Sequence, residues 1–331
     1  MSIVKSFGLP SLAVVSVLAG CSAADTSTGG QAPAIEDGLL TTASYAGDAT
    51  GPDSRAMGVH WTRDEFAARG AKAAGSAKSG GGGSPLMTYH GGKIMTRATT
   101  LAIFKGTSWG TYAGDEITGI DSWYVGHSNS NYAKTVDEYT GTNGQVGPTN
   151  THQGHIVDLG AETSRGRTSA VLTEVCNALT ASGVALDTAG NGYYALYSDQ
   201  PRGHAGYCAW HSAGTCNGVA IQFAFFWKLD GDAGCDPQDT SGLHSEGLAA
   251  VASVSAHELA EARSDPASPG AWYDGSGAEN GDKCAWTFGA PLVTFSNGTQ
   301  WKLQGEWSNA AYNAGTGYPN SSGQNGCLSG L

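Results

Sequence analysis

The sequence predicts an α/β (α+β) fold: a single domain with a central mixed sheet, a long buried helix and a loop-rich C-terminal part. Strand-like apolar segments alternate with two segments of helical period, which is typical of mixed α/β domains. The longer helical segment carries apolar or small residues on most of its faces, so we expect it to be buried. Glycine contributes 50 of 331 residues and charged residues only 14%, which predicts long loops between the elements.

The first 20 residues are typical of an export signal. Lys5 precedes an apolar stretch, and Leu18-Ala19-Gly20-Cys21 resembles the lipobox of bacterial lipoproteins. We therefore predict a lipoprotein signal peptide over 1–20 and an acylated Cys21. The protein would be extracytoplasmic, anchored to the bacterial envelope (the outer membrane being the expected site) or released outside the cell. An ordinary secretory signal with an incidental Cys21 is the alternative.

The segment 21–86 differs in composition from the rest of the chain. It is rich in Ala, Gly, Ser and Thr, lacks a sustained apolar period and contains the Gly-rich sequence 79–84. Such composition is typical of a flexible linker. The segment is predicted to be a tether or a removable pro-segment, and the folded domain is predicted to span 87–331.

Within that domain the apolar patterns predict four strands and two helices. The strands are predicted at 99–105, 155–159, 192–197 and 218–227, and the helices at 168–181 and 243–263. The strand at 218–227 is apolar enough to lie in the centre of a sheet.

Six cysteines remain after Cys21, an even number in an exported chain, which predicts disulfides. They are Cys176, Cys208, Cys216, Cys235, Cys284 and Cys327. The sequence leaves their pairing open, although the short spacing makes a local Cys208–Cys216 loop one option. A zinc-thiolate site is disfavoured because no CxxC pair occurs.

The formal net charge is −12, and the sequence contains no Lys/Arg cluster. We therefore do not expect the protein to bind nucleic acid or an anionic membrane surface through charge. The N-terminal apolar run is too short to span a bilayer. Membrane contact is predicted only through a lipidated Cys21.

The helix predicted over 243–263 contains the sequence His257-Glu258-Leu259-Ala260-Glu261. His257 and Glu261 are four residues apart, so both would project from one face, as the two histidines of the HExxH metalloprotease motif do. Glu258 occupies the position of that motif's general base. The pattern predicts a zincin-like site with His257 and Glu261 as metal ligands and Glu258 as the catalytic base. Zinc is the expected ion and calcium the alternative, because a carboxylate replaces the second histidine.

Further ligands are expected downstream, where Glu279 and Asp282 lie about 20 residues beyond the helix. Asp265 precedes a proline and is expected to end the helix. Lesser candidates are His152, His155 and His211; the first two form an HxxH pair that a regular strand would point to opposite faces. A buried hydrogen-bond network and an exposed charged face are the alternatives to a metal site.

Several segments together resemble the phosphate-induced protein family, also called EXORDIUM-like. They are 87–92 (MTYHGG), 208–212 (CAWHS), 257–266 (HELAEARSDP), 271–274 (AWYD) and 279–284 (ENGDKC). The resemblance covers about 240 residues, and the helix motif is similar to that of the bacterial branch. It implies an extracytoplasmic single domain, and it leaves the chemistry to the residues.

The function predicted from these residues is that of an extracytoplasmic metal-dependent hydrolase, a zinc peptidase that acts on a peptide or protein. The alternative is a non-catalytic envelope protein that binds cell-wall glycan or a protein partner and uses the ion only for stability.

Overall fold

The computed structural model describes residues 56–76 and 84–331. The predicted signal peptide, Cys21 and most of the Gly-rich segment lie outside the described residues. Among the described residues, no helix combines the length and the apolar character needed to cross a membrane.

A six-stranded mixed sheet forms the centre of the domain, in the order β1-β8-β9-β7-β3-β6. Its strands are β1 (Met57–Trp61), β3 (Ala98–Lys105), β6 (Asn150–Asp158), β7 (Gly192–Pro201), β8 (Tyr207–Cys216) and β9 (Val219–Lys228). Strands β9, β7, β3 and β6 run parallel to one another. At one edge β8 pairs antiparallel with β9, and β1 pairs antiparallel with β8. The predicted mixed α/β fold with a central mixed sheet is confirmed, including the central position of the strand over 218–227.

Within the described residues, six α-helices accompany the sheet. They are α1 (Arg63–Ser76), α2 (Glu116–His127), α3 (Thr168–Ala181), α4 (Glu246–Ser264), α5 (Asn280–Lys283) and α6 (Asn309–Ala314). On β8, His211 points toward α4, whereas the missing Cβ of Gly214 faces Leu172 of α3. Residues 211 and 214 lie on opposite faces of a strand, so α4 and α3 cover opposite faces of the sheet.

The remaining strands pair in small sheets, mostly in the C-terminal part. They are β2 (Thr88–Tyr89) with β10 (Trp272–Tyr273), β4 (Thr140–Gly141) with β5 (Gly144–Gln145), β11 (Val293–Thr294) with β12 (Gln300–Trp301), and β13 (Glu306–Trp307) with β15 (Asn325–Leu328) and β14 (Tyr318–Pro319). These short elements agree with the predicted loop-rich C-terminal part.

Helix α4 spans 19 residues and is buried from Gly247 onward. Ser245 caps it by accepting a hydrogen bond from the backbone N–H of Leu248 at 3.1 Å, and Asp265 ends it before Pro266. The predicted long buried helix is confirmed, with a start three residues later than expected.

The prediction that 21–86 is a flexible segment is wrong for residues 57–61. Strand β1 pairs with β8, with Met57 opposite His211 and Trp61 opposite Tyr207, and Val59 and Trp61 lie in the hydrophobic core. The folded domain therefore includes residues 57–61 and is not confined to 87–331. Five residues of strand are too few to show a period amid the Ala/Gly-rich composition, and long-range pairing supplies their stability.

All six cysteines after Cys21 form disulfides: Cys176–Cys216, Cys208–Cys235 and Cys284–Cys327. The predicted disulfides are confirmed, and they indicate an extracytoplasmic location. The option of a Cys208–Cys216 disulfide is wrong. Both residues lie on β8, where eight residues of extended chain separate them by roughly 27 Å.

Candidate metal centre

The three residues of the helix motif lie on the buried side of α4, which packs against β8, β9 and β1. His257, Glu258 and Glu261 have no exposed surface. Nε2 of His257 lies 3.1 Å from Oε1 of Glu261, one helical turn away. His257 and Glu261 therefore project from one face of the helix, as expected.

Asp282 joins this pair from α5. Its Oδ1 lies 3.8 Å from Nε2 of His257, and one ligand atom from each of His257, Glu261 and Asp282 falls within 4.8 Å of the others. Ligands about 2.1 Å from a tetrahedral zinc ion lie ~3.4 Å apart. The spacing of this first group suits a divalent ion.

His211 and Glu279 form a second group on the other side of Glu261. Nε2 of His211 lies 3.6 Å from Oε2 of Glu261 and 3.5 Å from Oε2 of Glu279. The sequence offered Glu279 and Asp282 as alternatives for one ion, but they lie in different groups. His211 ranked only as a lesser candidate, because an isolated histidine in a strand gives no ligand spacing.

Backbone N–H groups hold one oxygen of each of three carboxylates. Asp282 N–H donates to Oε1 of Glu261 at 2.9 Å, Glu279 N–H donates to Oδ2 of Asp282 at 3.2 Å, and Gly58 N–H donates to Oε1 of Glu279 at 3.2 Å. Oε2 of Glu261 and Oε2 of Glu279 have no hydrogen-bond partner although both are buried. In Asp282 and Glu279 the backbone thus holds one oxygen and leaves the other to face its group. In Glu261 the held Oε1 also faces His257, and Oε2 faces His211.

Two glycines allow the backbone to approach the groups. A Cβ at Gly58, where φ is +32°, would overlap Oε2 of Glu261 and Nε2 of His211. A Cβ at Gly281 would lie 2.8 Å from Nδ1 of His257 and 3.0 Å from Oε1 of Glu261. Strand β1 therefore covers the second group and α5 covers the first.

Gln304 contacts the ring of His257 at Nδ1, on the side away from Glu261. Its side-chain N–H₂ lies 3.0 Å from Nδ1 of His257 and donates to the carbonyl oxygen of Gly281 at 3.0 Å. Its Oε1 lies 3.2 Å from Nε2 of His60, whose ring contacts that of His257 edge-on. Neither Gln304 nor His60 belongs to a sequence motif, so sequence reasoning missed both.

Burial disfavours the charged form of every side chain in the cluster. Burial lowers the pKa of His257 to about 4 and that of His211 to about 3, so both imidazoles are neutral at pH 7. Burial raises the pKa of Glu261 to about 8, and burial with the negative charge of Glu261 raises the pKa of Asp282 to about 8. The ion-pair partners of Glu261, Glu279 and Asp282 within the described chain are histidines. A bound divalent cation would compensate these carboxylates.

The donor set tests which ion fits. Two imidazole nitrogens are unusual ligands for calcium, which takes oxygen, and are common ligands for zinc. His211 is buried, and neither of its ring nitrogens has a hydrogen-bond partner among the described residues. A transition metal therefore fits the site better than calcium does.

Glu258 lies beside both groups but belongs to neither. Burial raises its pKa well above the usual range, and the negative charges of Glu261 and Asp282 raise it further. Both of its carboxylate oxygens are buried without a hydrogen-bond partner in the described structure. A buried carboxyl group beside the two groups is a candidate for a general base.

The HxxH histidines behave differently from the expectation. His152 and His155 both contact Asp121, with Nε2 and Nδ1 at 2.9 and 2.6 Å from its two oxygens. The expectation of opposite faces is wrong because β6 has a bulge at Gly154, where φ is +86°, and a bulge changes the alternation of side chains. These histidines bind a carboxylate of α2 and are not part of the metal centre.

The centre is nearly closed to solvent. Asp282 is the most accessible ligand, with 24% of its side chain exposed, whereas the side chain of Glu279 is 5% exposed. Solvent therefore reaches the cluster from the side of Asp282.

Comparisons of this chain with protein-family models, with curated proteins and with solved structures found no match. The chemistry of the residues is therefore the basis for assigning a function.

Proposed function

We propose that this protein is a divalent-metal-dependent hydrolase of the cell envelope, with a zincin-like domain and peptide bonds as its substrate class. The observation that carries the proposal is that buried His257 and Glu261 and partly exposed Asp282 bring one ligand atom each within 4.8 Å of the others, with buried Glu258 beside them. Zinc would polarise the substrate carbonyl and acidify a water molecule.

The residues of the chain have separate roles in this proposal. His257, Glu261 and Asp282 hold the ion. Glu258 takes a proton from the attacking water and returns it to the leaving amine. The backbone N–H of Asp282 orients Glu261.

The test is Glu258→Gln in the mature chain, assayed with a fluorogenic peptide library. We expect peptide hydrolysis to fall by at least ~100-fold, while the metal content equals that of the wild type. Glu246→Gln is the matched control, because Glu246 lies exposed in the first turn of the same helix. Full activity of Glu258→Gln would remove Glu258 from the mechanism.

A second candidate function is that of a non-catalytic envelope protein whose ion only stabilises the fold. The closure of the centre favours it, as does an exposed aromatic group suited to stacking on a sugar. Tyr89 is 41% exposed, its ring centroid lies 5.5 Å from that of Trp272, and Tyr273 stacks on His90. By contrast, Trp301 and Trp307 are core residues.

The two candidates give different results in one experiment. If the ion is only structural, its removal lowers the melting temperature, no peptide is cut by the wild type, and Glu258→Gln changes neither metal content nor glycan binding. Binding of cell-wall glycan that is lost in Trp272→Ala would then support the second candidate.

We further propose membership of the phosphate-induced protein (EXORDIUM-like) family and an acylated Cys21. The first proposal rests on the resemblance of the sequence segments 87–92, 208–212, 257–266, 271–274 and 279–284. Mass spectrometry of the native N-terminus tests the second, since a free secretory cleavage product would contradict it.

A further inference from the structure

We propose that the centre binds two divalent ions and that Glu261 bridges them, one through each carboxylate oxygen. The inference rests on the proposed metal site and adds a second ion held by His211, Glu261 and Glu279.

The positions of the two groups carry the argument. In the first group, Oε1 of Glu261 lies 3.1 Å from Nε2 of His257. In the second, Oε2 of the same carboxylate lies 3.6 Å from Nε2 of His211. Two ions bridged by one carboxylate lie ~3.5–4 Å apart in two-metal enzymes. One glutamate therefore presents an oxygen to each group.

The second group is built for a ligand. Its three offered atoms, Nε2 of His211, Oε2 of Glu261 and Oε2 of Glu279, are each buried without a hydrogen-bond partner among the described residues. The distances from Nε2 of His211 to the two carboxylate oxygens, 3.6 and 3.5 Å, are close to the ~3.4 Å between ligands of a tetrahedral zinc ion. A direct hydrogen bond would bring an N–H and an oxygen to about 2.9 Å.

The carboxylates of the cluster also suffice for two ions. Glu261 and Asp282 offer oxygens to the first ion, and Glu261 and Glu279 offer oxygens to the second. Glu258 belongs to neither group and remains available beside them.

Strand β1 closes the second group specifically. The N–H of Gly58 holds Oε1 of Glu279 and thereby turns Oε2 toward His211. Gly58 lacks the Cβ that would fill the space between Glu261 and His211. Residues 57–61 thus contribute to the metal centre as well as to the sheet.

The test is metal stoichiometry of the mature chain after saturation with zinc and removal of free ion, measured by elemental analysis. We expect two equivalents in the wild type, one in His211→Asn, one in His257→Asn and none in Glu261→Ala. Manganese-loaded wild type should give the electron paramagnetic resonance spectrum of a coupled pair, and His211→Asn that of an isolated ion.

Other outcomes separate this inference from the proposed function. One equivalent in the wild type that persists in His211→Asn and disappears in His257→Asn overturns the second ion and leaves the hydrolase site intact. No bound metal in the wild type overturns both. If His211→Asn does not fold, Glu279→Gln replaces it, and a wild-type stoichiometry of one still overturns the inference.

Discussion

The disulfide Cys284–Cys327 is expected to support both the fold and the metal centre. Cys284 follows α5 directly, two residues after Asp282, and Cys327 lies on β15 opposite Trp307. The bond therefore fastens the segment that carries Asp282 and Glu279 to the C-terminal sheet. Replacing both cysteines with alanine should loosen that segment as well as destabilise the protein.

The magnitude follows from the length of the closed loop. The cysteines are separated by 43 residues, for which the loss of loop-closure entropy amounts to about 4 kcal/mol at 25 °C. Cys176–Cys216 is a matched control, since its separation of 40 residues gives about the same value. It joins α3 to β8 on the opposite face of the sheet from α4.

The assay is urea unfolding of the metal-free chains, followed by zinc titration of the folded variants against a competing chelator. Both double variants should lose about 4 kcal/mol. Only Cys284→Ala with Cys327→Ala should also weaken zinc binding, by ~10-fold or more. Equal effects of the two variants on zinc affinity, or a stability loss below ~1 kcal/mol in either, would refute the reasoning.

Two further predictions concern ligand positioning and pH. Gly281→Ala places a Cβ 2.8 Å from Nδ1 of His257, so zinc affinity should fall ~10- to 100-fold. Gly275→Ala, whose Cβ meets open space, is the control. Equal zinc affinities of the two variants would count against a role of Gly281 in positioning His257. Burial raises the pKa of Glu116 from 4.5 to about 7. A hydrogen bond to Asp230 raises this pKa further, and the positive charge of Lys228 opposes the increase. The folded state then holds the proton more tightly, so stability is lost as pH rises from 4.5 to 7, by at most about 3 kcal/mol. Urea unfolding should show a steeper decline in the wild type than in Glu116→Gln over that range, and parallel curves would exclude this source.

The helix and its motif were predictable from sequence because both depend on local spacing. His257 and Glu261 share a face on any helix, and burial of α4 follows from its small and apolar residues. Glu279 and Asp282 could be named as downstream ligands, but their division between two groups depends on how α5 folds back on α4. Sequence spacing carries no information on that contact.

The parts that sequence missed are those that long-range pairing creates. Gly58 and His60 reach the centre only because β1 pairs with β8, about 150 residues later in the chain. Gln304 lies in an irregular segment that no periodic pattern marks. The shared contact of His152 and His155 depends on a bulge, which displaces a side chain from the face that alternation predicts.

The most direct test of the account is a crystal structure of the zinc-loaded mature chain, with anomalous diffraction measured at the zinc absorption edge. We predict two anomalous peaks on either side of the Glu261 carboxylate, one near Nε2 of His257 and the other near Nε2 of His211. The absence of any peak within reach of His257, Glu261 and Asp282 would contradict the account.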